Sequence, residues 1–271
     1  TGGSVRIPAA FCGLTGLKVT EGRLPIDGIT PLSKLLDTPG PMARSVMDTA
    51  IMFSVMLGVS GQELNENIET KSAIFTFLGK SPKNLTLGVL EDSEREKCDP
   101  EMLKMYDNVI SLLHKEGADI KSFSSPFDYH EISNKVGDII SSQAYENHGF
   151  LYEKDSNPMD DDVRERVLRA KDINIHTKKT LFSDRSKNKK AFLSAIHDFD
   201  VLLTPTTKDF CPLTSDVDQQ VSPGHFTRPI NYFGMCALSL PIGLNSLGLP
   251  GSLQICAKPN AEGMAFRVAA M

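Results

Sequence analysis

The sequence of 271 residues has no tryptophan and only five cysteines, and aromatic residues make up 7 % of it. Cys12, Cys98, Cys211, Cys236 and Cys256 are scattered and odd in number, with no Cys-x-x-Cys pair and no Cys/His grouping. They offer no metal-ligand spacing, so no metal and no cofactor is expected, and they favour a reduced, cytoplasmic setting. A basic excess is also absent. Lys and Arg number 29 against 34 Asp and Glu, for a net charge of −5, which argues against a nucleic-acid partner. No apolar run approaches the ~20 residues of a membrane span; the longest, residues 50–59, reads as a buried helix. There is no internal repeat and no low-complexity tract. What remains is the composition of a globular protein, 40 % hydrophobic and 23 % charged.

The most informative stretch is the first, Thr1-Gly2-Gly3-Ser4-Val5-Arg6-Ile7-Pro8-Ala9. Two glycines before a serine permit a turn whose successive N–H groups point one way, the geometry that holds a developing oxyanion beside a nucleophile. Gly-Gly-Ser alone is a weak signal; the longer string is specific. It resembles the nucleophile motif of the amidase-signature family from its second position onward, and the motif's acidic residue would fall just before Thr1. Further blocks resemble the same family in the same order. These are Phe11 to Lys18, Gly22-Arg23-Leu24-Pro25, Leu36 to Val46, Leu202-Leu203-Thr204-Pro205-Thr206 and Thr227-Arg228-Pro229-Ile230-Asn231.

The resemblance implies an α/β fold, a mixed β-sheet core covered by helices on both faces. It also implies that residues 1–271 form one amidase domain that lacks its N-terminal portion. Ser4 matches the nucleophile, and the backbone N–H groups of Thr1, Gly2, Gly3 and Ser4 match the oxyanion hole. Arg6 matches a motif arginine expected to tie down the loop by ion pairing. The lysine and cis-serine that complete the family's Ser–cis-Ser–Lys triad would lie outside this chain. The implied activity is hydrolysis of a small carboxylic amide through an acyl-enzyme. The alternatives are the amidase component of a tRNA-dependent amidotransferase, or an inactive, scaffold-like relative. The expected partner is a small-molecule amide, with a homodimer left open.

The residues themselves offer other bases. Six histidines occur, but none has a signature near Ser4, and the Gly-x-Ser-x-Gly elbow is missing because Arg6 takes the place of its last glycine. His225 is the least improbable of the six. Lys18 reads as structural or exposed, Asp37 as structural, and Thr1 as a rival nucleophile only if it is a natural terminus.

Along the chain, residues 1–43 read as loops and short strands. Ser45 and Asp48 form a capping box before an apolar helix expected to be buried. Residues 60–83 read as a connection. Residues 85–90, a helix capped by Asp99-Pro100, and 118–123 read as strand–helix–strand with a parallel pair. Helices are expected from about 128 to 148 and over 163–196, after an acidic loop. The cluster of Arg185, Lys187, Lys189 and Lys190 reads as a solvated face. Strands at 199–203, 238–243 and 252–256, an irregular substrate-side loop at 207–225 and a last helix from Ala261 complete the reading.

Overall fold

The computed structural model describes residues 1–171, 173–219 and 221–270. A seven-stranded mixed sheet forms its centre. In chain order the strands are β1 (Thr15–Lys18), β2 (Met42–Ala43), β3 (Thr86–Leu90), β4 (Asp119–Phe123), β5 (Val201–Pro205), β6 (Cys236–Leu244) and β7 (Pro250–Ala257). They lie side by side as β2-β1-β6-β7-β5-β3-β4. The β4–β3–β5 half is parallel, and the β5–β7–β6–β1–β2 half is antiparallel. Every residue of β5 and all but the first of β7 are buried, so helices cover both faces of the central strands.

The ten α-helices are α1 (Arg6–Phe11), α2 (Val46–Met56), α3 (Gly61–Glu69), α4 (Asp92–Arg95), α5 (Pro100–Lys115), α6 (Tyr129–Tyr152), α7 (Asp161–Leu168), α8 (Ile175–Ala195), α9 (Thr227–Tyr232) and α10 (Glu262–Ala269), counted among the described residues. Caps stand where side-chain chemistry demands them. Ser45 Oγ accepts from the Asp48 N–H at 3.0 Å, and Asp99 accepts from Glu101 and Met102 ahead of Pro100. The expected parallel pair forms, β3 and β4 being joined through α5, with Leu87 opposite Ile120. None of the helices is long and apolar enough to cross a membrane, among the described residues.

Four expectations change. Residues 6–11 form a helix, not a loop, because buried Ala9 and Ala10 pack a short turn onto β1, β6 and β7. Residues 60–83 contain α3 and a 3-10 turn at Ala73–Phe77 that seats buried Phe75 and Phe77 against α10. Helix α2 is buried along Ala50 and Phe53, while Met52, Val55 and Met56 face outward. Arg185 does not join a solvated face: it is 6 % exposed, and its Nη2 donates to Glu21 Oε2 at 2.5 Å.

Candidate active site

The Gly-Gly-Ser loop runs directly into α1, with Ser4 exposed one residue before the Val5 cap. The loop is held by its carbonyl groups. Thr227 Oγ1 donates to the Gly2 carbonyl at 2.9 Å, and Asn231 Nδ2 donates to the Thr1 carbonyl at 2.7 Å. Thr227 and Asn231 lie four residues apart, hence on one face of α9. The N–H groups of Gly2, Gly3 and Ser4 donate to no protein acceptor among the described residues. Successive free N–H groups with tied carbonyls are the arrangement that accepts an anion.

Gly3 is required by this geometry. Its φ is +144°, and a Cβ there would collide with Thr227 Oγ1 and lie 2.6 Å from Ile7 Cδ1. A Cβ at Gly2 would meet only ordinary contacts, at 3.4 Å from Ile140 Cδ1 and 3.5 Å from Arg228 Cγ. Thr1 Oγ1 donates to Asp37 Oδ1 at 2.7 Å, while Asp37 Oδ2 takes the N–H groups of Leu32 and Ser33. Asp37 thus braces the loop.

Beneath the loop, Arg6 is 1 % exposed. Nη1 donates to Gln254 Oε1; Nη2 donates to Asn231 Oδ1 and to the Thr227 carbonyl. Gln254 on β7 passes the network on, donating to Thr204 Oγ1 at 3.0 Å and to the Phe226 carbonyl. No carboxylate pairs with Arg6 among the described residues, where its acceptors are neutral and come from two elements, α9 and β7. Burial lowers its pKa to about 10, which leaves it charged at neutral pH. The sheet, α1 and α9 are therefore tied to the loop through one guanidinium.

Lys18 lines a small polar crevice together with Ser4, Arg6, Thr38 and Asn231. It is 3 % exposed, and its Nζ donates to the carbonyls of Met235 at 2.7 Å and Val19 at 2.9 Å. Burial, and after it the charge of Arg6, lowers its pKa to about 7. His225 is placed elsewhere. Its Nε2 lies 2.7 Å from Glu94 Oε2 in a buried pair flanked by Tyr129 and Phe226.

Ser4 opens on a cavity of about 480 Å³, within the usual size of a small-molecule site. Ile7, Leu32, Ile140, Ala144 and Val167 give it an apolar floor, and Arg166, Arg169 and Arg228 give it a charged wall. Of the irregular 207–225 loop, Ser222 reaches the cavity. In the sequence, Thr227 and Asn231 stand out as landmarks without a task. Their four-residue spacing is the signal that could have assigned one. Arg166 and Arg169 carry none.

Comparison with known proteins gives the family and the fold. A glutamyl-tRNA(Gln) amidotransferase subunit of Persephonella marina (strain DSM 14350 / EX-H1) is 30 % identical over 297 residues, covering 99 % of this chain and 61 % of that protein. The 2-amino-5-chloromuconic acid deaminase of Comamonas testosteroni is 30 % identical over 281 residues, covering 99 % of this chain and 58 % of that one. A crystal structure described as an amidase superposes with a TM-score of 0.84 at 22 % identity, covering 99 % of this chain and 60 % of that chain. A structure of 6-aminohexanoate cyclic dimer hydrolase with substrate gives 0.78 at 23 % identity, with coverage of 99 % and 62 %. The chain thus spans about three fifths of the length of the relatives it matches. The family model described as Amidase matches residues 1–266, and the chain belongs to the amidase family.

Proposed function

We propose that this chain carries the nucleophile and oxyanion hole of a carboxylic-amide hydrolase, with Ser4 as nucleophile. The observation that carries the reading is the loop itself. Its N–H groups at Gly2, Gly3 and Ser4 are free beside an exposed serine hydroxyl, while its carbonyls are tied back by Thr227 and Asn231. Ser4 Oγ attacks the amide carbon as its proton passes to a base. The carbonyl oxygen takes the negative charge and is held by the free N–H groups. The C–N bond then breaks, the amine leaves with the proton, and water releases the acid from the acyl-serine.

The base and its relay are assigned to the family's lysine and cis-serine, outside these 271 residues. Lys18 is the weaker choice, because its Nζ is already engaged by the Val19 and Met235 carbonyls and makes no hydrogen bond to Ser4 among the described residues.

The test is labelling of the full-length protein by a serine-directed fluorophosphonate, with Ser4→Ala as control. Labelling at Ser4 that vanishes in the variant, along with turnover of an amide panel, is expected. Equal labelling or turnover in the variant sinks the assignment. A second reading, the amidase component of a tRNA-dependent amidotransferase, is favoured by the 30 % identity to the P. marina protein. Stable co-purification with further subunits, and amide release only within that complex, would select it.

A further inference from the structure

The charged wall of the Ser4 cavity is unusual in one respect. Arg166 and Arg169 project from the end of α7, Arg228 projects from α9, and all three line the cavity that contains Ser4. The same three, with Gly137 and Ser222, also line a second cavity of about 410 Å³. None forms an ion pair with a carboxylate among the described residues. Each guanidinium has five N–H donors, and the protein takes few of them. Arg166 Nε donates to the Asp162 carbonyl, Arg169 Nη2 to Ser141 Oγ, and Arg228 Nη1 to the Ser133 carbonyl.

Two carboxylates also face this region, Asp138 and Asp218, both on the second cavity. Burial raises the pKa of Asp138 against the opposing effect of Arg169, which weakens it as a counter-ion. The pKa of half-buried Arg228 is lowered by burial and then by repulsion from Arg169 and Arg166. Exposed arginines on a helix are commonly no more than a solvated face. Here the third member is half-buried, comes from a different element and packs its stem beside Gly2 of the nucleophile loop. Like charges gathered on a partly apolar wall, with most donors unused, focus an anion there.

We infer that this wall is an anion subsite, and that the amide cleaved at Ser4 carries a carboxylate received by Arg228, Arg169 and Arg166. The inference rests on the hydrolase reading above. Arg228 determines specificity, because it stands nearest the loop through its contact at Gly2.

The experiment compares monoamides of four- to six-carbon dicarboxylic acids with amides of equal length that end in methyl, on the full-length protein. The acid amides are expected to lead in kcat/KM by about 10-fold or more. Arg228→Gln lowers that ratio towards one, mainly through KM for the acid amide, and Arg228→Lys restores part of it. Arg169→Gln is a second variant, since Arg228 also braces the Ser133 carbonyl. Equal kcat/KM for both series, or a proportional fall for both in Arg228→Gln, overturns the subsite. If no amide is turned over, the hydrolase reading fails on its own, and titration calorimetry with glutarate decides the subsite. Binding that weakens about 10-fold in Arg228→Gln supports it; no binding, or unchanged binding in the variant, removes it.

Discussion

Replacing Thr227 by valine keeps the shape of a fully buried side chain and removes one hydroxyl. That hydroxyl donates to the Gly2 carbonyl at 2.9 Å, and no other donor reaches this oxygen among the described residues. The loss leaves a carbonyl without its partner, a cost of about 1–2 kcal/mol. A protein of this size should melt about 2–6 °C lower for it. The effect on chemistry should be larger than the effect on stability. The peptide unit that ends in the Gly2 carbonyl also carries the Gly3 N–H, a proposed oxyanion donor. If that donor is lost outright, the transition state loses about 3 kcal/mol, on the order of a hundredfold in kcat. A partly misdirected donor should cost about 10-fold.

The assay is the rate of fluorophosphonate labelling at Ser4 together with kcat and KM for an amide, at a temperature where the variant is fully folded. The expected result is slower labelling and lower kcat with KM nearly unchanged, and Thr227→Ser near wild type. Thr227→Val with the wild-type labelling rate and kcat, despite lower stability, would refute the claim that α9 aims the oxyanion donors.

One half-buried and one buried charge should leave their mark on stability against pH. The Glu21 carboxyl is half-desolvated, but the hydrogen bonds and charges of Arg185 and Lys189 outweigh burial and lower its pKa. Its contribution to stability is complete above the ordinary glutamate pKa and is lost as pH falls through the lowered value. Arg185→Met should therefore destabilise the protein by about 2 kcal/mol at neutral pH and flatten the acid limb of a melting-temperature profile; an unchanged limb would rule the pair out as its cause. Lys18 behaves in the opposite sense. With a folded pKa near 7, it binds fewer protons folded than unfolded between about pH 7 and the ordinary lysine value. Stability should rise with pH across that window, and Lys18→Met should remove this slope. Parallel pH profiles for the two proteins would contradict the burial of a neutral lysine.

Much of this molecule is set by residues that act locally. Asp99-Pro100 caps α5, Ser45 caps α2, and the Gly-Gly-Ser turn needs only its own glycines to bend. These effects span a few residues, so they are legible in the linear order. So is the family, because the first nine residues and the later blocks carry side chains whose chemistry ties them to positions. The helix at 6–11 was not legible, since its six residues are stabilised by packing on β1, β6 and β7 rather than by propensity. Arg185 looked like one more surface charge among lysines until the fold brought Glu21, 164 residues away, against it. The neutral oxygen atoms that Arg6 meets, from Gln254, Asn231 and Thr227, come from the assembled sheet and α9, elements far along the chain from it. The sequence by itself determined the Gly-Gly-Ser turn, the caps and the parallel unit, because each is a short-range matter of backbone freedom and nearby donors. Tertiary structure alone decided which side chains hold the loop's carbonyls and which three arginines share the serine's cavity, because those neighbours come from elements more than a hundred residues apart.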